Sequence, residues 1–204
     1  LAHGENITQL LRTLPTDITE VGTIRFQGFA MSPHPCKTNQ SFNTRQNKMR
    51  PAVPGISIGH HKITAGTLGA VVYGDFPQGI ALLSNNHVLA NCSTGQDKLA
   101  QVGDPIWQPG PYDGGSKNDL LAQLIDFMPY HCVTREEYQQ GDRPAPNYMD
   151  AALALPLDKN QIKNQILGLG QPTGTLDPTP GMIVLKSGRT TGLTNGKIIT
   201  IHNT

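Results

Sequence analysis

Apolar residues in this chain come in short runs that glycine, proline or polar turns cut off before they reach helical length. Five such runs follow Pro54: Gly55 to Gly59 (GISIG), Gly66 to Tyr73 (GTLGAVVY), Gly79 to Leu83 (GIALL), Asp104 to Gln108 (DPIWQ) and Leu120 to Phe127 (LLAQLIDF). Turns such as YGDFPQG and PGPYDGG separate them, a spacing that predicts strands of a sandwich or barrel. LLAQLIDF is ambiguous, because its propensities also allow helix. Ala151 to Leu157 is a further apolar run after Asp150, and the polar stretch Asp158 to Gln165 reads as a helical turn or a loop. Met182 to Lys186 (MIVLK) and Lys197 to His202 (KIITIH) are the last predicted strands, joined by SGRTTGLTNG.

The first quarter of the chain is patterned differently. Leu1 to Leu14 reads as a short amphipathic helix ending before Pro15, and Ile18 to Phe26 alternates like a strand, together a small α/β extension over residues 1–30. Met31 to Arg50 is polar, with Lys37, Arg45, Lys48 and Arg50 and no acidic residue, which predicts a solvated basic linker over residues 31–54. Residues 55–156 then form a first β-rich unit, and residues 157–204 begin a second.

Composition sharpens this picture. The 204 residues include 22 Gly and 16 Pro, while only 15% are charged, a balance that favours an all-β fold over a helical bundle. The net charge of +1 gives no field that would select nucleic acid or an anionic membrane as a partner. No run approaches membrane-spanning length and the start lacks a signal-peptide pattern, so a soluble protein is expected, with the cytoplasm slightly favoured. Cys36, Cys92 and Cys132 are odd in number and far apart, which argues against a disulfide scaffold and leaves room for one bridge. The sequons at Asn6, Asn39 and Asn91 are read as chance.

Two segments carry candidate chemistry. In IALLSNNHVLA an apolar strand runs into His87 at the head of what reads as a single helical turn, a corner from which an imidazole can act as general base. In NYMDAALALP, Asp150 precedes a small apolar strand, and an imidazole N–H is one of the few partners that make a carboxylate useful there. A structural histidine and a turn-capping aspartate are the plain alternatives. His60-His61 suggests a metal, but neighbouring side chains on a strand point to opposite faces and no carboxylate or Cys has matching spacing, so neither metal nor other cofactor is expected. Trp107 reads as a packing anchor in its loop, and SGRTTGLTNG lacks the ending of a phosphate loop.

SNNHVLA followed by MDAALAL resembles the trypsin-like, chymotrypsin-fold serine peptidases, which place the catalytic His in an N-N-H-V context and the catalytic Asp in D-x-A-L at a strand start. LKSGRTTGLTNGKI looks like the first hairpin of the second barrel in bacterial members. PGISIGHHKITAGTLGAVV, LLSNNHVLAN, GDPIWQPGPYDGG and KSGRTTGLTNG together resemble a bacterial trypsin-like group related to the plant narrow-leaf protein, over roughly Pro51 to Thr204. The resemblance implies a double β-barrel, complete in its first barrel, with His87 as base and Asp150 as its orienter. It implies protein or peptide substrates and a nucleophilic Ser in G-D-S-G, a segment that occurs nowhere in these 204 residues. Ser187 occupies the hairpin and is read as structural. The expectation is therefore the N-terminal portion of a serine endopeptidase, inactive alone and paired with a C-terminal fragment that carries the Ser; the rival is a non-catalytic binding or scaffold module of the same fold.

Overall fold

A computed structural model describes residues 25–27, 42–142 and 147–201. The expected helix at 1–14, most of the 18–26 strand, the first part of the basic segment and Cys36 lie outside the described residues. The chain is all-β in character. Strands β1 (Arg25–Gln27), β2 (Ser57–His60), β3 (Gly66–Thr67), β4 (Ala70–Tyr73) and β5 (Ile80–Ser84) precede a one-turn helix, α1 (Asn86–Leu89). β6 (Pro105–Trp107), β7 (Leu120–Phe127), a short helix α2 (Arg135–Gln139), β8 (Ala152–Pro156), β9 (Ile183–Gly188) and β10 (Gly192–Thr200) follow.

Seven strands form one antiparallel sheet in the order β3-β2-β6-β7-β8-β5-β4. Its two end strands are consecutive in sequence, separated only by Leu68 and Gly69, so the row must curl until its ends meet. Backbone bonds close the seam: Leu68 N–H donates to Ile56 O at 2.9 Å, and Gly69 N–H donates to Leu83 O at 3.1 Å. Irregular register between Ile106 and Trp107, and between Leu124 and Asp126, supplies local bending of the kind that bulges give curled sheets.

Alternation along the strands sorts side chains to the two faces. Leu82 of β5 and Ala152 and Ala154 of β8 face the main core with Ile56, Ile58, Leu68, Ile106, Leu124 and Phe127. Ala81 and Leu153 face the opposite way, under Phe76, Leu83, Ile125 and Met128. The ambiguous LLAQLIDF resolves as strand because β6 and β8 flank it and satisfy its backbone on both sides. Helix α2 was not foreseen, although Thr134 and Glu137 form a full capping box at its start.

The remaining strands make a second sheet, β1-β10-β9. Lys197, Ile198 and Thr200 of β10 pair with Gln27, Phe26 and Arg25, leaving β9 as an outer strand. In one respect the structure corrects the sequence reading. The C-terminal part of the basic segment is not a solvated connector, since Ala52 and Val53 are core residues. Arg45 donates to Gly55 O and Ser187 Oγ, and Arg50 bonds the Gln108 side chain. Among the described residues no helix is long and apolar enough to cross a membrane.

Candidate functional site

β5 and β8 lie side by side, pairing Leu82 with Ala154, Leu83 with Leu153 and Ser84 with Ala152. This register puts the residues just after β5 next to those just before β8. His87, in the single turn of α1, therefore meets Asp150, which precedes β8 by two positions. His87 Nδ1 lies 2.6 Å from Asp150 Oδ2, and the His87 backbone N–H donates to Asp150 Oδ1 at 3.4 Å. The imidazole is half-exposed and the carboxylate less so, at 52% and 32% of their side-chain surfaces.

Neighbouring amides hold the two segments in place. Asn85 stands at the N-cap of α1, yet its side chain does not cap the helix; its Nδ2 donates to the Asp150 carbonyl at 3.0 Å. Asn86 is fully buried and its Nδ2 donates to Ser93 O at 3.1 Å and Met128 O at 2.6 Å. Those two acceptors fix the orientation of the amide, and Oδ1 is left buried without a partner. Met128 N–H in turn donates to Ala151 O at 2.9 Å, so the chain at Asp150 and just after it is pinned. The adjacent β3 approaches α1 through Gly66, where a Cβ would overlap the Val88 side chain.

Partial burial works to raise the Asp150 carboxyl pKa, but hydrogen bonds from the His87 ring and the Tyr130 hydroxyl outweigh it and hold the group below the usual carboxylate range. Asp150 is therefore ionised at neutral pH and can only accept, so the proton between the two groups is donated by His87 Nδ1. No hydrogen bond engages Nε2 among the described residues. Burial and the same carboxylate push the Tyr130 phenol well above its ordinary range. Cys92 and Cys132 are free thiols, and burial together with Asp150 pushes the Cys92 thiol up, so it stays protonated and is a poor nucleophile.

The structure thus brings His87 and Asp150 together and places Ser187 elsewhere. Ser187 Oγ donates to Leu167 O at 2.6 Å and accepts from Arg45 Nη1 at 2.6 Å, so its hydroxyl is occupied in joining the β9 strand to the barrel. Sequence reasoning missed Tyr130 and Asn85 as members of the site. Asn85 was visible beside His87, whereas nothing in the sequence around Tyr130 relates it to a carboxylate twenty residues further on.

A second histidine–carboxylate pair sits inside the barrel. β2 ends at His60, so the strand rule that would send His60 and His61 to opposite faces no longer applies; their ring centroids are 4.4 Å apart, and Asp104 joins them. The sequence reading of those two rings is corrected on that point. The hydrogen bonds nevertheless oppose a metal centre. His60 Nδ1 accepts the Lys62 N–H at 3.2 Å, so the ring proton is on Nε2 and points to Asp104 Oδ2 at 2.9 Å. Ligation through Nε2 would force a proton onto Nδ1, against a second N–H donor, whereas ligating histidines need an acceptor there. Burial lowers the His60 pKa more than Asp104 raises it, so the ring is neutral at neutral pH. Trp107 packs against His61 with ring centroids 6.1 Å apart.

No protein-family model matches this chain, and no curated protein matches it.

Proposed function

We propose that His87 and Asp150 are the general base and its orienter in a serine endopeptidase of the trypsin-like type, whose nucleophile is supplied from outside these 204 residues. The observation that carries the reading is the 2.6 Å contact between His87 Nδ1 and Asp150 Oδ2, made with Nε2 unengaged on a half-exposed ring. A serine hydroxyl brought to Nε2 would pass its proton there as it attacks a peptide carbonyl. The imidazolium so formed would be stabilised by the ionised Asp150 and would then protonate the leaving amine. On this reading the seven-stranded curled sheet is the first barrel of a double barrel, and β9–β10 opens the second. The outward face of that hairpin supports the assignment, because Ile183, Leu185, Leu193 and Ile199 lie on one side of it and are each at least 47% exposed. Further strands carrying the serine would bury that face.

The test uses protein expressed from the uninterrupted reading frame that contains these residues, treated with a fluorophosphonate and assayed on a denatured protein substrate. The expected result is a covalent adduct on one serine outside residues 1–204, and a loss of hydrolysis by roughly 10⁴–10⁶-fold in His87→Ala. An unlabelled, inactive full-length protein overturns the proposal and leaves a binding module of the same architecture.

A further inference from the structure

We propose that Asn147 is a positioning residue of the His87–Asp150 pair, its side-chain amide closing the connection between β7 and β8 into a short frame that holds Asp150. This deepens the peptidase reading and rests on it for the role of the pair. Asn147 Oδ1 accepts the His131 N–H at 2.8 Å, and Asn147 Nδ2 donates to His131 O at 3.0 Å. One side chain thus takes both backbone groups of one residue, as a partner residue does in an antiparallel ladder. The ladder itself stops nearer the barrel, where Phe127 pairs with Ala152 and Met128 N–H donates to Ala151 O at 2.9 Å. Asp150 therefore stands between two closures, a backbone bond just after it and the Asn147 amide shortly before it.

Both sides of the frame are tied to the segment that carries His87. Tyr130 N–H donates to Ser93 O at 3.1 Å, and the same carbonyl accepts from Asn86 Nδ2 in α1. On the opposite side Asn85 Nδ2 donates to Asp150 O at 3.0 Å. The chain between His131 and Asn147, which carries the exposed helix α2, lies outside the frame. Ordering a short closed segment costs less entropy than ordering a long one, so the amide confines the residues next to Asp150 and leaves the outer chain its freedom. The 2.6 Å contact from Asp150 Oδ2 to His87 Nδ1 needs that confinement, because a shift of a few tenths of an ångström weakens it. Asparagine suits the position because it donates and accepts at once. An ionised aspartate of the same shape would set an acceptor against the His131 carbonyl.

The test is NMR on the 204-residue chain, following hydrogen exchange of the His131 amide and of the proton that His87 Nδ1 shares with Asp150 Oδ2. In the wild-type chain the His131 amide is expected to be protected although its residue is exposed, and an unprotected amide overturns the proposal. Asn147→Ala is expected to abolish that protection and to speed exchange of the Nδ1 proton about three- to tenfold, the scale of losing one hydrogen bond. The Asp150 carboxyl should then titrate closer to its ordinary value, because the imidazole bond that holds it down is weakened. Glu137→Ala breaks the capping box of α2, outside the frame, and is expected to leave both protons as they are. An Nδ1 proton unmoved by Asn147→Ala, or moved equally by Glu137→Ala, overturns the proposal. An amide that merely fastened the outer chain would release the His131 proton and leave the Nδ1 proton alone. If the alanine variant does not fold, Asn147→Asp, of the same shape but without the donor, decides by the same Nδ1 signal. None of these readouts needs a nucleophile, so failure of the peptidase reading and failure of this proposal are separately visible.

Discussion

Asp113 and Arg189, far apart in sequence, meet through paired bonds from Nε to Oδ2 and from Nη2 to Oδ1, each 2.5 Å long. The Asp113 carboxylate is nearly buried and Arg189 largely so, with 4% and 12% of their side chains exposed. Arg189 also lies over the Tyr112 ring, 5.4 Å from its centroid, and its N–H donates to Thr67 Oγ1. The turn between β9 and β10 is thereby fastened to the barrel seam at β3.

Removing the guanidinium leaves Asp113 in a low-dielectric site without its partner. Arg189→Ala is expected to cost about 3 kcal/mol of stability, read by denaturant unfolding, and Arg189→Lys should recover less than half because an ammonium cannot make the paired contact. A change below about 1 kcal/mol for the alanine variant would mean that the latch is solvated.

His60 makes stability fall in weak acid. Burial keeps its folded pKa below the ordinary 6.5, so below that pH the unfolded chain binds a proton that the folded chain resists. Stability is then fully present above about pH 7 and declines as pH drops below about 6.5, by at most ~1.4 kcal/mol per pH unit. The lowered Asp104 carboxyl, opposed by burial and held down chiefly by the His60 bond, adds a second decline only below its unfolded value near 3.8. Thermal unfolding of wild type and His60→Gln between pH 7 and 5 checks this: the slope should flatten in the variant.

Gly66 sets how closely β3 approaches the turn that carries His87. In Gly66→Ala the new Cβ overlaps Val88, a branched and buried side chain, so something must shift. The expected cost is about 1–3 kcal/mol, together with displacement of α1. Weakening of the Nδ1 to Oδ2 contact should appear as faster exchange of its proton in NMR, and an unaltered spectrum would show that the seam yields instead.

Asn86 is a second structural dependency of the site. Asn86→Leu removes the donor to Met128 O in a buried setting and should cost about 2 kcal/mol or more, measured by chemical denaturation. The loss should exceed that of Asn85→Ala, whose bond to Asp150 O is exposed.

The strands were legible because each is a short apolar run bounded by glycine or proline, whereas the pairing of His87 with Asp150 was expected from the family resemblance and not from the runs themselves. What escaped was set by partners distant in sequence. Arg45 looked like a linker residue because nothing near it in the chain shows that Gly55 O, Ser187 Oγ and Leu167 O converge on its guanidinium. The pairing of β10 with β1 escaped because β1 is only three residues long and lies near the opposite end of the chain. The His60–His61 arrangement depended on where β2 stops, and a strand end shifted by one residue reverses the inference about faces.

Closure of the curled sheet has a temporal meaning as well. His87 and Asp150 belong to segments 63 residues apart, and only the docking of β8 between β5 and β7 brings them within bonding distance. Such distant pairings form late, because the entropy of ordering the intervening chain must be overcome first. A partly folded chain therefore holds a lone histidine on one side and a lone carboxylate on the other, with no proton shared between them. The His87–Asp150 contact comes into being only in molecules whose curled sheet is complete.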